Sequence, residues 1–212
     1  MREIIFYLDF VSPYAWLAFE QLPQALEGID CHVTYRPVSL GALLKHEGSM
    51  AAVTGKKKRA WMYRHVTWLA QQQGLALQMP AKHPFNSLPL LRLAQQCTFT
   101  GETNRWVTEL LFRHVWQSGQ DAEDQQRLQA LHTPLARFLD VDPTAPERAR
   151  LQLRSMTQQA MDAGAFGVPA LVCEGKMFWG LEALPMLRSY LLGQADWDEA
   201  HWQRFEVLPA SM

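Results

Sequence analysis

The run Ile4-Ile5-Phe6-Tyr7-Leu8-Asp9-Phe10-Val11-Ser12-Pro13-Tyr14-Ala15 decides the architecture. Ile4 to Leu8 is a short, β-rich apolar stretch, the composition of a strand inside a sheet, and Asp9 ends it. Val11-Ser12-Pro13 reads as a turn into a helix. Ser12 suits the N-cap, where a side-chain oxygen accepts a first-turn N–H, and Pro13 suits the first helical position, where that donor would be idle. Ala15, Leu17, Ala18, Phe19, Leu22 and Ala25 continue at helical spacing up to Gly28. Cys31 to Pro37 then alternates as a second strand, so the opening reads β-α-β with a right-handed crossover.

Outward from there the pattern changes. Between about residues 39 and 163 the sequence predicts helices punctuated by proline and glycine, over Leu40 to His46, Lys58 to Gln73, Phe85 to Phe99, Glu102 to Trp116, Ala122 to Leu131 and Pro146 to Ala163. Pro169 to Cys173 and Met177 to Trp179 are strand-like, and Glu174-Gly175-Lys176 between them carries the glycine a tight hairpin needs. A last helix is expected from Leu181 to Leu192. The tail from Gly193, with Trp197, Trp202 and Phe205, is expected to pack on the body or on a partner chain. The expected organisation is α/β: residues 1–38 and 152–192 form one domain, residues 39–151 an all-helical insertion, and residues 193–212 a tail.

Composition bounds the function. With 212 residues, 48% hydrophobic and 19% charged, the chain can bury one good core. A formal net charge of -1, with neither half strongly basic, lacks the electrostatic footprint of a nucleic-acid binder. No segment is long enough to span a bilayer, and the first apolar run is too short for a signal peptide. Cys31, Cys97 and Cys173 are odd in number and never form C-x-x-C, which argues against a disulfide scaffold, a metal site or a disulfide oxidoreductase, and for a reducing, cytoplasmic compartment.

Three ordered strings carry a family resemblance: Phe6 to Ala15, then Gly167-Val168-Pro169, then Phe178-Trp179-Gly180-Leu181-Glu182. Together they resemble the glutathione-dependent 2-hydroxychromene-2-carboxylate isomerases and the related kappa-class glutathione transferases of the DsbA-like group. In these proteins a serine replaces the first cysteine of the redox motif. The resemblance implies a thioredoxin-like fold with a helical insertion, glutathione as cofactor and a cis bond before Pro169. It also implies a small aromatic 2-oxo acid as substrate and a homodimer.

It further implies site residues, each of which has a plainer reading. Ser12 would donate its hydroxyl to the glutathione sulfur, favouring the thiolate, or it is only a helix cap. Val168 and Pro169 would meet the cysteinyl backbone, and Gly180, Leu181 and Glu182 the γ-glutamyl end; alternatively Glu182 is an ordinary first-turn carboxylate. Lys58, within Lys56-Lys57-Lys58-Arg59, would contact a carboxylate, or it is a solvated helix start. Lys45, His83 and Asn86 are substrate-side candidates, with an exposed lysine and a helix-capping asparagine as the bland alternatives. His65 stands where many relatives carry an aspartate and Trp68 near their arginine, which leaves the substrate open. The rival readings are a conjugating kappa-type transferase and a noncatalytic thioredoxin-fold binding protein.

Overall fold

Ile4, Phe6 and Leu8 share one face of a central strand and are fully buried in the core that helices pack against the sheet. The structure, a computed structural model, describes residues 1–49, 55–194 and 198–206. Strand β1 (Arg2–Leu8) pairs in parallel with β2 (Cys31–Pro37) and antiparallel with β3 (Ala170–Cys173), which pairs antiparallel with β4 (Lys176–Trp179). The sheet order is β2-β1-β3-β4. The parallel pair is joined by helix α1 (Pro13–Ala25), as the opening sequence requires. Glu174 and Gly175 adopt φ of 50° and 77° in the β3–β4 turn, the left-handed pair of a tight hairpin.

Between β2 and β3 the chain is helical: α2 (Leu40–His46), α3 (Lys56–Gln72), α4 (Leu88–Gln96), α5 (Arg105–Trp116), α6 (Gln125–Ala130), α7 (His132–Leu135) and α8 (Ala145–Asp162). These helices share one core with the sheet rather than forming a detached lobe. Trp16 of α1 stacks on Trp116 of α5 at 6.2 Å between ring centroids, and Phe112 of α5 meets both Phe10 and Phe19 at 5.1 and 5.3 Å. Thr103 N donates to Tyr35 O at 2.9 Å, tying the start of α5 to the β2 edge. After β4 a 3-10 turn (Leu181–Ala183) leads into α9 (Leu184–Leu191), and α10 (Glu199–Glu206) follows.

The helix expected from Phe85 begins instead at Leu88, because Pro84 to Ser87 form the turn and Asn86 Oδ1 accepts from Leu88 N at 3.2 Å. The expected last helix splits at Ala183, and α10 was not foreseen. Part of the loop around Gly48 to Gly55, and Trp197 in the tail, lie outside the described residues.

Candidate functional site

Ser12 is the N-cap of α1. Its Oγ accepts from Ala15 N at 3.2 Å and donates to the carbonyl of Val168 at 3.3 Å, 156 residues further along. Tyr14 N, in the first turn, has no hydrogen-bond acceptor among the described residues, so α1 presents that N–H and its positive dipole end beside this hydroxyl. Ser12 itself is only 5% exposed. The bond between Val168 and Pro169 is cis, as expected.

The loop that delivers Ser12 is clamped from several elements. Asp9, fully buried, accepts from Val11 N at 3.2 Å and from Leu40 N, at the start of α2, at 2.8 Å. The Ser87 hydroxyl is a further donor. Burial outweighs these donors and raises the Asp9 carboxyl to about 6. Phe10 O accepts from Trp116 Nε1 at 3.0 Å, Val11 O lies 2.8 Å from His83 Nε2, and Ser12 N donates to Asp9 O at 3.0 Å.

His83 therefore does a structural job. Because Val11 O can only accept, Nε2 carries the proton. Burial, with the Arg59 charge adding to it, keeps the ring below its usual pKa, so Nδ1 is a bare acceptor 3.0 Å from the Tyr63 hydroxyl. That hydroxyl also lies 2.8 Å from His83 O. Held at Nε2 by Val11 O, and on its other side by the single Tyr63 proton that Nδ1 and His83 O share, the ring braces the Ser12 loop.

Facing α1 on the other side is α3. Tyr14 Oη lies 3.0 Å from His65 Nδ1, and His65 stacks between Trp61 and Trp68 at 6.4 and 6.2 Å. Trp61 and Trp68 are 64% and 53% exposed, so this face of α3 offers an aromatic wall. Burial raises the Tyr14 phenol, and the carboxylate of Glu182 adds to the shift. Glu182 is thus close enough to Tyr14 to be felt there, which brings the Phe178 to Glu182 segment to the N-terminus of α1. Gly180 N donates to Pro169 O at 2.9 Å, and a Cβ at Gly180 would sit 2.6 Å from the Glu182 carboxyl, so only glycine lets that side chain fold back.

Ser12, Val168, Pro169, Gly180 and Glu182 thus gather at one end of α1, and Leu181 is buried beneath them. Lys58 is exposed on the first turn of α3, without a hydrogen bond or ion pair among the described residues. The basic charge felt at Tyr63 and His83 is that of Arg59. Lys45 is exposed in the last turn of α2, with no hydrogen bond to the Ser12 cluster among the described residues, and Asn86 is occupied in the turn before α4. Sequence reasoning missed Tyr14, Tyr63 and Asp9. Their partners lie far along the chain, and the only local signal was their place next to the Ser12-Pro13 turn or in α3.

The protein's own thiols are unsuited to nucleophilic work. Burial pushes Cys97 up to about 12 and also raises Cys31 and Cys173, with Asp30 and Glu174 adding to the last two. No group of three or more His, Cys, Asp or Glu side chains among the described residues is placed to hold a metal ion. No helix among them is long and apolar enough to cross a membrane.

A thioredoxin-like sheet with a capped helix N-terminus opposite a cis-proline defines the class. The chain belongs to the DSBA-like thioredoxin domain family, whose sequence profile matches residues 3–192. Among characterised relatives it is similar to a 2-hydroxychromene-2-carboxylate isomerase of Sphingobium xenophagum, at 27% identity over 201 residues, covering 90% of this chain and 98% of that protein. Glutathione S-transferase kappa 1 of Rattus norvegicus is 24% identical over 211 residues, covering 91% and 92% of the two chains. The solved structure of a 2-hydroxychromene-2-carboxylate isomerase superposes with a TM-score of 0.73 at 21% identity, over 98% of this chain and 100% of that one, which establishes the shared fold. These relatives are enzymes of isomerase and glutathione-transferase type.

Proposed function

We propose that this protein is a glutathione-dependent isomerase of aryl-substituted, unsaturated 2-oxo acids, interconverting 2-hydroxychromene-2-carboxylate and trans-o-hydroxybenzylidenepyruvate in the degradation of aromatic compounds. The observation that carries the reading is the Ser12 hydroxyl at the N-terminus of α1, 3.3 Å from the Val168 carbonyl, in a chain whose own thiols are held protonated. The donor set fits glutathione. The Ser12 hydroxyl and the Tyr14 N–H suit a thiolate, the Val168 main chain suits a peptide strand, the Glu182 carboxylate suits an ammonium, and Lys58, without an ion pair among the described residues, suits a carboxylate.

Bound glutathione supplies a nucleophilic sulfur that adds reversibly to a conjugated alkene, so that the former double bond can rotate before the sulfur leaves. Ser12 turns its proton from Val168 O to the sulfur and, with the helix dipole, favours the anion. The Val168 carbonyl is thereby free to accept a peptide N–H. Trp61 and Trp68 wall the site with aromatic surface, and His65, locked between them, holds Tyr14 in place. Asp9, His83 and Trp116 keep the loop rigid, so that the hydroxyl is aimed before any ligand arrives.

The relationship to glutathione S-transferase kappa 1 favours one alternative, conjugation of glutathione to an electrophile with release of the adduct. Both activities would use the same sulfur site. Following substrate absorbance together with free thiol decides between them. Isomerisation leaves thiol constant over many turnovers, whereas conjugation consumes one thiol per product. Stoichiometric thiol loss would overturn the isomerase reading.

A further inference from the structure

A second cleft lies between α2, α4 and α8, sharing no lining residue with the Ser12 cluster. Its volume is about 360 Å³, within the range of small-molecule sites. Leu88, Leu153 and Met161 form an apolar floor, and three guanidinium groups, Arg92, Arg150 and Arg154, stand around it.

The charge arrangement is locally unfavourable. Arg150 and Arg154 are four residues apart on α8, where like charges repel, and Arg92 approaches from α4. Among the described residues one acid relieves them directly: Glu147 pairs with Arg150 through Nε at 2.8 Å and NH2 at 2.6 Å, and it also feels the Arg92 charge. Asp162, one turn beyond Gln158 on α8, accepts from Gln158 Nε2 at 2.9 Å. Arg92 and Arg154 have neither a hydrogen bond nor an ion pair among the described residues. Two unpaired forks over a greasy floor match one kind of ligand. An oxyanion satisfies guanidinium groups bidentately, and an apolar body covers leucine and methionine. We infer that this cleft is a second binding site, for a small amphipathic carboxylate.

The site is also wired to the reactive loop. Ser39, in its wall, precedes Leu40, whose N–H holds Asp9, and Ser39 N is itself held by Thr157 Oγ at 3.1 Å. Leu88 follows Ser87, whose hydroxyl also hydrogen-bonds to Asp9. An occupant therefore touches both segments that fix Asp9, three residues before Ser12.

Calorimetric titration of the full chain with octanoate tests the inference. Saturable one-to-one binding is expected, weakening with salt. 1-Octanol lacks the charge and inorganic phosphate lacks the apolar body, so each should bind at least tenfold more weakly. Replacing Arg92 and Arg154 together by alanine should weaken octanoate at least tenfold while circular dichroism stays unchanged, and Arg154→Glu alone should abolish binding. Ser12→Ala should bind octanoate as the wild type does, which separates this site from the glutathione reading. The inference is overturned by absent saturation, by equal binding in the double variant, or by loss of octanoate in Ser12→Ala. It is equally overturned if octanoate does not bind and the double variant converts a dimer to a monomer in sedimentation, which would make the cleft a contact between copies.

Discussion

Ser12 Oγ and the carbonyl of Val168 are hydrogen-bonded at 3.3 Å, so the Ser12 hydroxyl occupies the same main-chain group that receives a bound peptide in the proposed function. On the proposed function, ligand binding exchanges partners: Val168 O takes an N–H from glutathione, and Ser12 turns to the sulfur. A glutathione analogue methylated on the cysteinyl nitrogen cannot supply that N–H. It should bind at least tenfold more weakly than glutathione in calorimetry, and equal affinity would mean that the two residues stay paired.

Millimolar glutathione should raise the melting temperature, because a ligand that binds only the native state stabilises it by mass action, about 2.7 kcal/mol at a hundredfold excess over Kd. Glu182→Gln and Lys58→Ala should each shrink the shift while leaving the ligand-free stability within about 0.5 kcal/mol of wild type, since both side chains are exposed. A full shift in Lys58→Ala would remove that lysine from the site and leave Arg59, on the next position of α3, as the cation to examine.

Asp9 makes stability depend on pH in an identifiable direction. Its folded carboxyl is raised to about 6 from an ordinary 3.8, so the folded state holds that proton more tightly than the unfolded chain. Its contribution is complete below about 4 and is lost as pH rises through about 6. Asp9→Asn removes this titration. Urea unfolding should show the advantage of wild type over the variant shrinking by on the order of 2–3 kcal/mol between pH 4 and pH 7. A pH-independent difference would show that Asp9 does not titrate in that window.

Tyr63→Phe takes the hydroxyl from His83 Nδ1 and leaves the brace on Val11 O held at one end only. A cost of about 1 kcal/mol in urea unfolding is expected. Activity should fall through kcat more than through KM, because the loop aims Ser12 rather than binding substrate. A change in KM alone would make His83 a substrate contact.

What was legible in the sequence was local. The Ile4 to Leu8 run, the Ser12-Pro13 cap, the alternation over Cys31 to Pro37 and the Glu174-Gly175 turn each state their structure within a few residues, and each lies where the sequence puts it. The start of α4 was misread because helical spacing from Phe85 onward hid the turn that Pro84 imposes. His83 is a substrate-side candidate by resemblance; that it also contacts Val11 O and the Tyr63 hydroxyl, 72 and 20 residues away, no spacing rule reveals. The same holds for Asp9, whose partner Leu40 is 31 residues on. The gathering of Ser12, Val168 and Glu182 was reached by resemblance rather than by pattern, since α1, β3 and the 3-10 turn meet only through the sheet order.

The most direct measurement is the ultraviolet titration of the thiol of bound glutathione in wild type, Ser12→Ala and Ser12→Gly. A Ser12 hydroxyl that holds the thiolate predicts a wild-type thiol pKa well below that of free glutathione and a rise towards the free value in both variants. Turnover should fall by on the order of 10²–10³ and recover partly as pH increases. Glycine retains most of the capping stability that alanine loses, about 0.5–2 kcal/mol, so it isolates the hydroxyl from the cap. An unshifted thiol pKa in wild type, or full activity in Ser12→Gly, would contradict this role and leave Ser12 as a helix cap.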